Sequence, residues 1–99
     1  MIVINAILEA KKGKEEELEN LLRAMIPLVQ EEDGAVLYTL HRSRNSVGKY
    51  MFYEKYKDQA AVDYHFSTHY FKDLIDKFSD LLEVEPIVDV FEEIDGIKV

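Results

Sequence analysis

The stretch AVLYTLHRSRNSVGKYMFYEKY, Ala35 to Tyr56, decides how this chain folds. Two runs rich in β-branched and aromatic residues, Ala35 to Arg42 and Lys49 to Tyr56, flank Arg44-Asn45-Ser46-Val47-Gly48. A short polar break with a glycine between two such runs reads as a β-hairpin. On its N-terminal side, Glu32-Asp33-Gly34 is a stop signal, with Gly34 suited to a left-handed turn position. Before that stop, Leu18, Leu21, Leu22, Met25, Ile26 and Val29 recur at helical spacing from Glu15 onward. Glu15, Glu16 and Glu17 fill the first turn, where carboxylates favour the positive end of the helix dipole. Pro27 is expected to kink or loosen the last turn, because it lacks a backbone donor. Ile2 to Ala10 reads as a strand, ended by Lys11-Lys12-Gly13-Lys14.

On the C-terminal side of the hairpin, Asp58 caps a short helix reaching about Tyr64 to Phe66. Ser67 is placed to cap another, whose apolar face is Phe71, Leu74, Ile75, Phe78, Leu81 and Leu82. Pro86 opens a last strand, Ile87 to Ile94, closed by Asp95-Gly96. The order β-α-β-β-α-β is the ferredoxin-like α+β pattern: a four-stranded antiparallel sheet with helices on one face. Several strands, such as Ile2-Val3-Ile4 and Tyr50-Met51-Phe52-Tyr53, are apolar on both parities. An antiparallel sheet with one wet face would alternate. Two helices cover one face and leave the other bare, and a second copy of the sheet is the simplest cover. The expectation is a homodimer through the open face.

Composition bounds the rest. Ninety-nine residues, 47% hydrophobic and 32% charged, suit one globular domain over 1-99. A formal net charge of −8 argues against nucleic acid and against an anionic membrane surface. No apolar run approaches the ~20 residues that cross a bilayer. The start lacks a signal-peptide pattern, so the expected compartment is cytoplasmic. Having no cysteine, the chain has no disulfide, thiolate nucleophile or thiolate-bound metal. No glycine-rich phosphate loop or nucleophile elbow is present, so no nucleotide cofactor is expected.

Reactive groups concentrate in Glu54 to Phe71. A histidine ordinarily titrates near neutrality, so His65 suits proton abstraction from a phenolic or enolic hydroxyl, with Glu54 orienting the ring. The plainer reading is a packed helix histidine bonded to a carbonyl. His65 and His69 are spaced i, i+4, which suits a metal with Glu54 or Asp63 as third ligand. A helix break at Ser67 spoils that register, so no metal is expected. Asn5 interrupts an apolar strand and needs a partner, either a substrate or dioxygen atom or a group at the dimer seam. Tyr38, Tyr53, Tyr64 and Phe71, with His69, are candidates to line an apolar cleft able to stack a planar ring.

Glu54-Lys55-Tyr56-Lys57-Asp58-Gln59-Ala60, followed by His65, Ser67, His69 and Phe71, resembles the signature of the antibiotic biosynthesis monooxygenase domain family. That family is part of the dimeric α+β barrel superfamily. The resemblance extends to the first strand with Asn5, the Gly13 break and the Asp33-Gly34 turn. It implies a small monooxygenase acting on a quinol or polyphenol-like aromatic with O2 and without metal, flavin or heme. His65 would be the base, with Asn5 and Glu54 beside it. Similar proteins also include an isomerase of a phosphorylated hydroxyketone and heme-degrading enzymes; a non-catalytic dimeric ligand-binding or stress-responsive module is a further alternative. In the heme-degrading relatives the first-strand asparagine is joined by a tryptophan and an iron-binding histidine. Here His65 and Ile75 stand at about those two positions, which argues against heme. Tyr56 stands where the family often has tryptophan.

Overall fold

A computed structural model describes residues 1 to 98. Its elements are β1 (Ile2–Glu9), α1 (Glu15–Gln30), β2 (Ala35–Arg42), β3 (Lys49–Tyr56), α2 (Gln59–Ser67), α3 (His69–Leu81) and β4 (Ile87–Glu92). The strands form one antiparallel sheet in the order β2-β3-β1-β4. This is the ferredoxin-like β-α-β-β-α-β topology, with the second helical segment broken into α2 and α3. No helix among the described residues is long and apolar enough to cross a membrane.

The hairpin strands begin and end where the sequence places them; other boundaries moved for identifiable reasons. α1 runs through Pro27 to Gln30, burying Leu18, Leu22, Met25 and Val29. Pro27 lies on the exposed side, where solvent can satisfy the carbonyl it leaves unbonded. Gly34 does not adopt a positive φ; Gly13 and Gly48 do. Its lack of a side chain serves a different end, because a Cβ there would overlap the Ala61 methyl of α2. The break between α2 and α3 falls one residue later than Ser67 suggests. Thr68 Oγ1 donates to the His65 carbonyl at 2.8 Å and accepts from the Phe71 amide at 3.3 Å. One hydroxyl thus closes α2 and opens α3. β1 stops at Glu9, leaving Ala10 in an isolated bridge with Leu82. β4 stops at Glu92, short of the expected Ile94.

The register assigns the faces. Ile4 lies opposite Glu54, Leu8 opposite Tyr50, and Tyr38 opposite Glu54. These residues face the helices. Their side holds the core, chiefly Leu8, Leu18, Leu22, Met25, Val29, Phe52, Leu74 and Phe78. A smaller group, Ile4, Tyr56 and Val62, packs at the other end. The opposite face carries a polar row, Thr39, Tyr53, Asn5 and Asp89, read across paired strands. Apolar side chains flank it: Ile7 pairs with Met51 and Ile87, and Val3 with Phe91. Ile87 and Phe91 are 57% and 55% exposed.

Candidate active site

Asp58 starts α2, its Oδ1 accepting from the Ala61 amide at 2.9 Å. That start sets the helix phase so that Val62 and His65, three residues apart, both point inward. His65 is 1% exposed, and its imidazole lies between two buried carboxylates. Nδ1 is 3.0 Å from Glu32 Oε2 and 3.2 Å from Oε1. Nε2 is 4.0 Å from Glu54 Oε1. Glu54 comes from the helix side of β3, where Tyr56, two residues on, donates its hydroxyl to Oε1 at 2.6 Å. Glu32 comes from the turn after α1. Its amide bonds the Val29 carbonyl at 2.9 Å, and its carboxylate also accepts the Tyr70 hydroxyl. Both carboxylates are therefore partnered, as buried charges must be.

Burial lifts the Glu54 carboxyl to about 7; the Tyr56 hydrogen bond opposes that rise and the negative charge of Glu32 adds to it. The hydroxyls of Tyr38, Tyr56 and Tyr70 are all pushed upward, first by burial and then by the neighbouring carboxylates. They stay protonated, and those of Tyr56 and Tyr70 donate to Glu54 and Glu32. Four aromatic rings surround the imidazole: Tyr38 at 5.7 Å between centroids, Tyr56 at 5.3 Å, Phe66 at 5.6 Å and Phe71 at 5.3 Å.

A cavity of about 330 Å³ opens from this cluster between the sheet and α3. Its walls are apolar, with Ile4, Ala6 and Leu8 from β1, Phe52 from β3, and Phe71, Leu74 and Phe78 from α3. Its polar lining is Glu54, His65 and Tyr38. Among the described residues, none of the lining side chains is a lysine or arginine. Pro86 and Val88, at the start of β4, also line the cavity. Such a site admits a planar apolar molecule and presents two titratable groups to one end of it.

The structure brings His65, Glu54, Tyr38 and Phe71 together. It does not bring Asn5, Tyr53, Tyr64 or His69 to them. Asn5 and Tyr53 face each other across β1 and β3 on the opposite side of the sheet, because each lies one residue from a cavity-facing neighbour. The Asn5 side-chain oxygen is buried there with no hydrogen-bond partner among the described residues. Tyr64, one residue before His65 on α2, turns outward and is 58% exposed. His69 begins α3 after the break and is exposed, with its ring edge-on to Tyr70 at 5.4 Å. The i, i+4 relation to His65 has no structural counterpart. Conversely, sequence reasoning missed Glu32. Between Glu31 and Asp33-Gly34 it reads as part of a solvated turn, and only a contact spanning 33 residues reveals otherwise. No local signal marks it.

A sequence model described as "Antibiotic biosynthesis monooxygenase" matches residues 1 to 77. The chain is 32% identical over 81 residues to the uncharacterized protein sll1783 of Synechocystis, covering 82% of this chain and 55% of that protein. It is 29% identical over 82 residues to YcnE of Bacillus subtilis, provisionally named a monooxygenase, covering 83% of this chain and 86% of that protein. Among solved structures, Rv0793 from Mycobacterium tuberculosis superposes with a TM-score of 0.91 at 25% identity, covering 98% of each chain.

Proposed function

The chain belongs to the antibiotic biosynthesis monooxygenase family, and on that footing we propose that it is a cofactor-independent monooxygenase of quinol or polyphenol-like aromatics, with His65 as general base. One observation carries the reading: an apolar, ring-lined cavity of about 330 Å³ ends at a buried imidazole. A bound phenol points its hydroxyl at that end and gives its proton to His65 Nε2, and the electron pair stays on oxygen. The electron-rich anion transfers one electron to O2, and the resulting radical pair closes a carbon–oxygen bond. The peroxide anion takes the proton back from His65, and the hydroperoxide so formed loses water with the hydrogen of that ring carbon to leave the quinone. Tyr38 and Phe71 flank the ring, and burial, by raising the Glu54 carboxyl to about 7, lessens its repulsion of an anion nearby.

The cavity disfavours a phosphorylated hydroxyketone, the isomerase substrate. A phosphate group calls for cationic or multiple amide donors, whereas this lining offers one acidic side chain, Glu54, and no lysine or arginine among the described residues. Oxygen uptake by purified protein on hydroquinones and naphthols, corrected for autoxidation, tests the oxygenase. Wild type should exceed background, and His65→Ala should lose ~10²–10⁴-fold. No uptake on any compound would leave a binding module instead. Equal uptake by both proteins would remove His65 from the chemistry.

We also propose that the chain pairs with a second copy through the open face of the sheet. The exposed Ile87 and Phe91 and the unpartnered Asn5 oxygen support this reading. Sedimentation equilibrium giving a mass near twice that of one chain is the expected result, and a concentration-independent monomer would overturn it.

A further inference from the structure

We propose that Glu32 is the positioning residue of His65: its carboxylate holds the imidazole with hydrogen on Nδ1 and an open Nε2 facing the cavity. The argument starts from hydrogen-bond inventory. An ionised carboxylate only accepts, so whatever stands at 3.0 Å and 3.2 Å from its oxygens must donate. In a neutral imidazole one nitrogen is a donor and the other an acceptor. With Nδ1 committed to Glu32, Nε2 is left with its lone pair. That nitrogen is 4.0 Å from Glu54, too long for a direct hydrogen bond, and His65 lines the cavity, so its lone pair is left for a hydroxyl entering from there.

The same contact matters after proton transfer. An imidazolium in a cavity walled by apolar side chains is costly unless an opposite charge lies against it. Glu32 supplies that charge on the face away from the substrate. The buried cluster then keeps one net charge before and after the proton moves, since the substrate anion forms as the imidazolium does. This is the nucleophile–base–orienter logic of acyl-transfer triads, here with a phenol's hydroxyl in the first place. Tyr70 fixes the orienter: its hydroxyl donates to Glu32 Oε2, so α3 holds the carboxylate on which α2 sets its histidine.

The catalytic part of this inference rests on the oxygenase reading, whereas the placement of the hydrogen does not. Nitrogen-15 NMR of the resting, unliganded protein therefore comes first. Above neutral pH His65 should show the Nδ1–H tautomer; an Nε2–H tautomer in wild type overturns the proposal with no variant needed. In Glu32→Gln one acceptor oxygen becomes an amide donor, and an Nε2–H population should appear. Glu32→Asp, which keeps the charge, should hold the Nδ1–H form. An unchanged tautomer in Glu32→Gln overturns the proposal. On a naphthol that wild type oxidises, kcat should fall by about 10²–10⁴-fold in Glu32→Gln with KM within a few-fold, and Glu32→Asp should recover part of it. A tautomer change without loss of kcat would reject the catalytic role of Glu32. If wild type oxidises none of the phenols, the oxygenase reading has failed while the spectra still decide the positioning.

Discussion

Ile4 and Asn5 are neighbours on β1, as Glu54 and Tyr53 are on β3, yet the two pairs live in different chemical worlds. Ile4 and Glu54 face the helices. There Glu54 has a tyrosine donor, an imidazole beside it and a closed apolar wall. Asn5 and Tyr53 face away, in a row with Thr39 and Asp89, where the buried amide oxygen has no partner among the described residues. The strand period of two makes the difference, since it sends adjacent side chains to opposite faces. Polar residues of equal cost become a desolvated, hydrogen-bonded cluster on the side that the helices cover. On the other side they become an unfinished surface.

The contrast breaks most directly in activity. If the chemistry belongs to the covered face, Tyr53→Phe should leave oxygen uptake within about threefold, against the ~10²–10⁴-fold loss expected for His65→Ala. Comparable losses in both would show that the open face takes part.

A smaller effect sharpens the electrostatic side. Burial raises the folded Glu54 carboxyl to about 7 from an ordinary 4.5, so the folded protein binds this proton more tightly than the unfolded chain does. Its contribution to stability is fully present below pH 4.5 and is lost as pH rises through 7. Glu54→Gln keeps the shape and removes the titration. Urea unfolding should show the variant gaining on wild type by about 3 kcal/mol between pH 4 and pH 8.5. A difference that stays flat with pH would mean that Glu54 ionises as a solvated carboxylate does.

The smallest effect concerns the open face. With Asn5 bonded across a dimer seam, Asn5→Leu leaves a partner group unsatisfied and should raise the dimer dissociation constant by roughly tenfold, about 1.4 kcal/mol. Unchanged or tighter dimers would show that the amide has no partner there.

The backbone was legible in the sequence where local rules are strong. Both hairpin strands, the buried stripe of α1 and the Asp58 cap follow from β-branched and aromatic enrichment around a polar glycine break, helical spacing and capping chemistry. The faces were not legible, because Tyr50-Met51-Phe52-Tyr53 is apolar on both parities and only the helix packing breaks the tie. That is why Asn5 and Tyr53 were grouped with a site they do not reach. Ser67 and Thr68 are both good caps, and the choice between them depends on which hydroxyl meets the His65 carbonyl. Glu32 was hidden for another reason. A glutamate in an acidic turn looks the same whether it faces water or a histidine 33 positions away.

Gly34 carries a consequence for how this sequence can drift. Any side chain there meets the Ala61 methyl, about one helical turn before His65 on the same helix. Replacing Gly34 forces Ala61 and the turn apart, and α2, which carries Ala61, also carries the imidazole. A mutational walk that is free to change the exposed residues around it finds this position shut, unless Ala61 shrinks first. The order of the two steps is then fixed, and Gly34 acts as a ratchet on the evolution of a cluster that Glu32, two residues before it, helps to build.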